Sequence, residues 1–191
     1  MATSAPINVT GTLAFPYLYM PAKDTNEKTG EVRERYRAVL LIEENSDQHK
    51  RIQAHLESFY KSQDVNSNED FYDDELGCLV DPQKLALRVP TLDQKKKYGW
   101  KGKVLLSASE GIQPGLWDEN NNELLPSDNN KGDNGKLQST DEVTFRVTFW
   151  SQNNTHGKRI NANLLGVKHR SNGSRDVGGA SARPEASSMD D

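Results

Sequence analysis

The sequence predicts a mainly β fold: a small, partly open five-stranded barrel with one α-helix after the second strand and a disordered C-terminal tail. Three observations carry this. Segments with the two-residue period of a half-buried strand recur along the chain. One stretch alone has the spacing of an amphipathic helix. Beyond Ser171 the chain is rich in Ser, Gly and Ala and has no period. With 191 residues and 34% hydrophobic content, one modest core is expected, so the chain divides into a domain over 1–170 and a mildly acidic tail over 171–191.

Residues 7–19 (INVTGTLAFPYLY) read as a strand that breaks or bulges near Gly11 and exits at Pro16. A polar loop over 22–31 follows. Residues 33–43 alternate, with Tyr36, Ala38, Leu40 and Ile42 on one side and Arg33, Arg35 and Arg37 on the other. Asn45-Ser46-Asp47 supplies a helix cap before Ile52, Leu56, Phe59 and Tyr60, which predicts a helix across roughly 47–62. Residues 64–77 form an acidic loop, and 85–89 a short strand or turn stopped by Pro90. Residues 100–109 are the next strong strand, and 111–125 a strand and turn. Residues 126–139 are polar and turn-rich, a loop able to move. In 142–151, Val143, Phe145, Val147 and Phe149 should face the core, and Thr144, Arg146, Thr148 and Trp150 should face out. A turn at 152–157 returns the chain as an antiparallel strand over 158–169. The commonest small barrel with an oligonucleotide-binding strand face is the OB-fold.

The net charge of −4 hides alternating blocks. Residues 84–103 hold seven basic residues against one acid, and 143–170 hold five against none. Residues 44–81 hold ten acids against three bases, and 110–142 eight against two. Such a dipolar surface can hold a polyanion on one side and stay soluble on the other.

The densest cationic stretch is Gln94-Lys-Lys-Lys-Tyr-Gly-Trp-Lys-Gly-Lys103. Lys95, Lys96, Lys97, Lys101 and Lys103 could meet phosphates, and Tyr98 and Trp100 could stack on unpaired bases. The competing interpretation buries Trp100, because Tyr98, Trp100, Val104 and Leu106 share one parity. Arg33, Arg35 and Arg37 on one strand face need a negative neighbour, either phosphate or Glu31 and Glu34. Arg146 and Trp150, beside Lys158 and Arg159, imply a covered aromatic: a stacked base, a loop or a homodimer contact would each serve.

Other chemistries find less support. The carboxylates of 69–75 raise the alternative of a metal-dependent nuclease, but nothing frames them on regular elements. Four histidines and the lone Cys78 show no zinc spacing, so no metal or other cofactor is expected. No apolar run approaches the roughly 18 residues of a membrane span. The opening Met-Ala-Thr-Ser-Ala-Pro lacks the pattern of an export signal. With one cysteine there is no intrachain disulfide, and a cytoplasmic location is expected. A third alternative is a phage structural or assembly protein using the barrel for protein contacts.

Three segments carry a resemblance. Gly11-Thr-Leu-Ala-Phe-Pro-Tyr-Leu-Tyr-Met-Pro21 with Tyr36-Arg-Ala-Val-Leu-Leu-Ile42 is the first. Trp100-Lys-Gly-Lys-Val-Leu-Leu with Pro114-Gly-Leu-Trp-Asp-Glu-Asn is the second. The most specific is Phe149-Trp-Ser-Gln-Asn-Asn-Thr-His-Gly-Lys-Arg-Ile-Asn-Ala-Asn-Leu-Leu-Gly-Val167. Together, over about residues 11–170, they resemble phage replicative single-stranded-DNA-binding proteins, with a more distant likeness to that of T7 phage. The resemblance implies an OB-fold, a non-enzymatic and sequence-tolerant grip on single-stranded DNA in replication and recombination, and a host-cell cytoplasmic location. It also implies an acidic tail that recruits phage or host replication proteins, here through Glu185, Asp190 and Asp191. The tail departs from that pattern: four acids face two arginines, and no aromatic residue ends it.

Overall fold

A computed structural model describes residues 3–26, 29–63, 72–73, 78–79, 85–125, 135–154 and 157–173. The first strand, β1 (Ile7–Thr25), runs through Gly11 without a break. Gly11 lies opposite Val143 of β8 (Glu142–Asn154), and Thr12 opposite Leu41 of β2 (Val32–Glu43). The irregularity falls later, between Ala14 and Tyr17 and between Tyr17 and Ala22. Pro16 and Pro21 lie in these intervals and have no N–H to give a ladder. Phe15 there takes a φ of 48°. Past this point β1 and β2 continue as a two-stranded arm, so residues 22–25 of the expected 22–31 loop are strand.

Helix α1 (Asp47–Ser62) begins as expected, with the Ser46 hydroxyl accepting from the His49 N–H at 3.2 Å. Its Ile52, Leu56 and Phe59 join the barrel core. The Thr10 N–H donates to Gln48 at 3.2 Å and ties the helix to β1.

Strands β3 (Tyr72–Asp73), inside the expected acidic loop, and β4 (Cys78–Leu79), just beyond it, form a small separate ladder. The edge strand β5 (Leu87–Arg88) pairs with β6 (Lys103–Glu110). Between them lies a second helix, α2 (Leu92–Tyr98), which strand periodicity did not reveal. Thr91 and Gln94 form a reciprocal capping box, and Gly99 ends the helix at a φ of 69°. That left-handed conformation suits glycine. The lysine run is therefore a helix and a turn, not a lead-in to a strand.

Strand β7 (Gly115–Trp117) runs parallel to β9 (Gly157–Ser171), which returns antiparallel to β8 as expected. Pairing runs β1–β2–β6–β9–β8 and back to β1. A parallel contact between Ser109 and Asn163 completes the ring. The five-stranded barrel is thus closed where a partly open one was expected, and β5 and β7 flank it.

Val143, Phe145, Val147 and Phe149 all point inward and are fully buried. Thr144 and Thr148, expected outside, are buried as well. The Thr144 hydroxyl lies 2.8 Å from Thr10 Oγ1 and 2.8 Å from Arg170 Nε, so neighbouring strands cover it. Of the expected mobile loop, residues 126–134 lie outside the described residues. Leu137 is buried, and the Gln138 N–H donates to Asp141 at 3.0 Å. Lys136 and His169 hold Glu119, and hydrogen bonds, from Lys136 above all, push its carboxyl down to about 2.

Candidate nucleic-acid interface

A cleft of about 470 Å³ crosses the outer face of β2, β6 and β9 beside the β1–β2 arm. It is lined by the short, part-exposed side chains of Ser107 and Ser109 and by Ala38, Ala108 and Ala162, which also belong to the buried barrel core. Phe15 and Tyr17 form one wall, and Arg37 and Arg88 add charge. In an unbroken strand Phe15 and Tyr17 would follow the buried Leu13 into the core, since all three share one parity. The irregularity after Ala14 turns them out instead, 44% and 45% exposed.

Arg37 is oriented before any ligand arrives. Its Nη1 donates to both Asp24 carboxylate oxygens, at 3.1 and 3.0 Å, and its guanidinium lies 5.3 Å from the Tyr17 ring centre. Arg88 Nη1 donates to the Ser107 hydroxyl at 2.8 Å. Arg33, Arg35 and Arg37 do share a face of β2. Arg33, however, pairs with Glu31 at 3.2 Å, and that contact raises its pKa. Glu34 pairs with Lys23 at 3.1 Å rather than with an arginine. Arg35 is exposed. Exposed pairs of this kind are worth about 0–1 kcal/mol, so a phosphate can compete for them. Asp24→Asn is accordingly expected to tighten oligothymidylate binding by up to about fivefold, from about 0.2–1 kcal/mol, and to steepen the salt dependence. Weaker binding would mean that Asp24 positions Arg37 rather than occupying it.

Beside the cleft, Phe15 meets Tyr98 edge-on at 5.3 Å and Trp100 at 5.6 Å. Trp100 is 8% exposed and packs in a cluster with Ala14, Leu41 and Leu105. The expected stacking role of Trp100 is therefore corrected: after Gly99 the chain folds its indole against the outer face of the sheet. Tyr98 stays 39% exposed, with the Lys97 ammonium 5.1 Å from its ring centre. Lys95 and Lys96 lie on the same short helix. Lys101 is exposed in the following turn, and Lys103 pairs with Glu43 at the end of the β2–β6 ladder away from Arg37.

Trp150 does not line the cleft itself but pairs with Asn161, which does. Its indole is half-buried, and its N–H donates to Asn163 at 2.8 Å. That burial removes the exposed-tryptophan ground for expecting a homodimer. Arg159, opposite Gln152, sits two residues from Asn161 and follows Lys158. Arg146 is not at the cleft: it lies four residues along β8 from Trp150, donating to Asn8 at 3.4 Å.

Residue-type reasoning passed over Phe15, Tyr17, Arg88 and Asn161. A proline between two aromatic residues in an otherwise apolar strand was the available signal for the first two. The 69–75 carboxylates, apart from the backbone of 72–73, and the tail residues Glu185, Asp190 and Asp191 lie outside the described residues. Among the described residues no group of three or more His, Cys, Asp or Glu could hold a metal, and no helix is long and apolar enough to cross a membrane.

Residues 8–191 match the family model described as Enterobacter phage Enc34, ssDNA-binding protein. No curated protein sequence matches the chain. The single-stranded DNA-binding protein from bacteriophage Enc34, solved in complex with ssDNA, superimposes with a TM-score of 0.61 at 26% identity. That alignment covers 87% of this chain and 86% of the other. A C-terminal truncation of the Enc34 protein gives 0.63 at 23% identity, covering 87% and 85%. The single-stranded DNA-binding protein encoded by bacteriophage T7 shares the fold, with a TM-score of 0.55 at 11% identity over 87% of this chain and 91% of that one.

Proposed function

The chain belongs to the Enc34 phage single-stranded-DNA-binding protein family, and from that premise we propose that it binds single-stranded DNA through the cleft across β2, β6 and β9, with little regard to sequence, in phage DNA replication and recombination. The observation that carries this is the pairing of the exposed rings of Phe15 and Tyr17 with Arg37 and Arg88 along one cleft. Aromatic faces accept any base, and guanidinium and ammonium groups track the backbone. Arg37 on the arm and Arg88 on β5 line the cleft, and Arg33 and Arg35 on the arm, Lys95–Lys97 on α2 and Lys158 and Arg159 on β9 extend the proposed cationic track beyond it. Trp150 pairs with the lining residue Asn161, and Tyr98 meets the lining residue Phe15. No step in this function requires bond chemistry, and the chain acts as a binding protein rather than an enzyme.

Titrating the protein with oligothymidylate at several salt concentrations, read by tryptophan fluorescence, tests the proposal. With about five phosphates neutralised at about −0.7 each, the log–log slope is expected near −3 to −4. A flat salt response, or no binding, would overturn it. Magnesium-dependent cleavage of the oligonucleotide would favour a nuclease instead.

A further inference from the structure

Arg146, set apart from the cleft, belongs to a second arrangement on the same ribbon. On the outer face of β8 and β9 it lies opposite Gly166, and Thr144 lies opposite Lys168. Arg170 follows two residues further on and donates from Nε to Thr144 at 2.8 Å. Trp117 of β7 lies over Gly115 and Gly166. A Cβ on Gly166 would come within 2.6 Å of the indole, and one on Gly115 within 2.2 Å. Glycine at both positions lets the far edge of the indole close onto the sheet, with 37% of the residue exposed.

The cations here differ from those of the β1–β2 arm. Arg33 and Arg37 carry carboxylate partners. Arg146, Lys168 and Arg170 bond only to the neutral side chains of Asn8, Asn121 and Thr144 among the described residues. Of the neighbouring acids, Glu119 pairs with Lys136 and His169, while Asp118 accepts from Asn120 and Asn122 and Glu142 from Ser171, and none of the three bonds to Arg146, Lys168 or Arg170 among the described residues. An exposed ring beside three oriented cations that make no ion pair among the described residues is the chemistry of a single-strand track.

We propose that the β8–β9 ribbon is a second binding segment, which takes the single strand as it leaves the cleft at Asn161 and carries it past Trp117 to Arg170. Asn161 and Arg170 are nine residues apart on β9, roughly 30 Å of strand. This rests on the cleft being the primary site, and it makes the full footprint longer than the cleft.

The test compares oligothymidylates of about 6 and about 16 nucleotides, near the two ends of the range for one such fold. The wild-type chain binds the longer one more tightly. The triple variant Arg146→Gln, Lys168→Gln, Arg170→Gln keeps its affinity for the short oligonucleotide. It binds the long one about tenfold or more weakly at low salt, with a salt slope shallower by about 2, from three phosphates at about 0.7 each. A companion variant, Arg146→Lys with Arg170→Lys, retains the wild-type slope and separates charge from folding. Equal losses for both lengths, or no loss for the longer, overturn the ribbon and leave the cleft standing. Failure of the wild-type chain to bind either length overturns both.

Discussion

Phe15→Ala combined with Tyr17→Ala is expected to weaken single-strand binding by roughly 30-fold to 10⁴-fold. Each base stacked on an aromatic ring contributes about 1–3 kcal/mol, so two rings together account for about 2–6 kcal/mol, at about 1.4 kcal/mol per factor of ten. Both residues are nearly half exposed, so truncation takes little from the core. The thermal unfolding midpoint should therefore move far less than the affinity. Tyr17→Phe keeps the ring under Arg37 and should retain most of the binding, which distinguishes stacking from a hydrogen bond to the hydroxyl. Affinity within twofold of the parent for the double alanine variant would remove the cleft as the binding site. Because the rings read no base edge, the loss should be similar for oligothymidylate and for mixed sequences. A loss confined to one sequence would contradict a sequence-tolerant track.

The largest expected effect on stability comes from inside the barrel. Phe145→Ala is expected to cost about 3–5 kcal/mol, the usual range for emptying a buried phenylalanine site. Phe145 is fully buried, and in the ladders it lies opposite Val9 of β1 and Val167 of β9, both buried. Two barrel strands therefore lose a packing partner at once. Against the roughly 5–15 kcal/mol that holds an ordinary domain together, this is a large fraction. A chemical-denaturation midpoint displaced accordingly, with the slope unchanged, is the expected readout. A cost under about 1 kcal/mol would mean that the barrel interior is not closed around this ring.

The strand pattern of 142–151 named the four inward residues of β8, because alternation is a local property and the inner face of a barrel is uniformly apolar. The cap and buried face of α1 were legible for the same reason. Helix α2 was not, since its seven residues bury none of their own side chains and carry no period. Its signal lay in Thr91 and Gln94 rather than in hydrophobicity. Trp100 shows the limit of parity: it shares one with Val104 and Leu106, yet the turn between them places it against the outside of the sheet instead of in the interior.

Taken alone, the sequence determined the barrel class, the inward residues of its main strands, the position of the first helix and, through short motifs, the family. These follow from spacing along one segment at a time. The tertiary structure alone decided that Phe15 and Tyr17 face out, that Arg37 is held by Asp24, and that Arg88 and Asn161 meet across one cleft while Arg146 lies elsewhere. The physical reason is that a binding face is assembled by pairing order and register between strands far apart in the chain, and no local period carries that information.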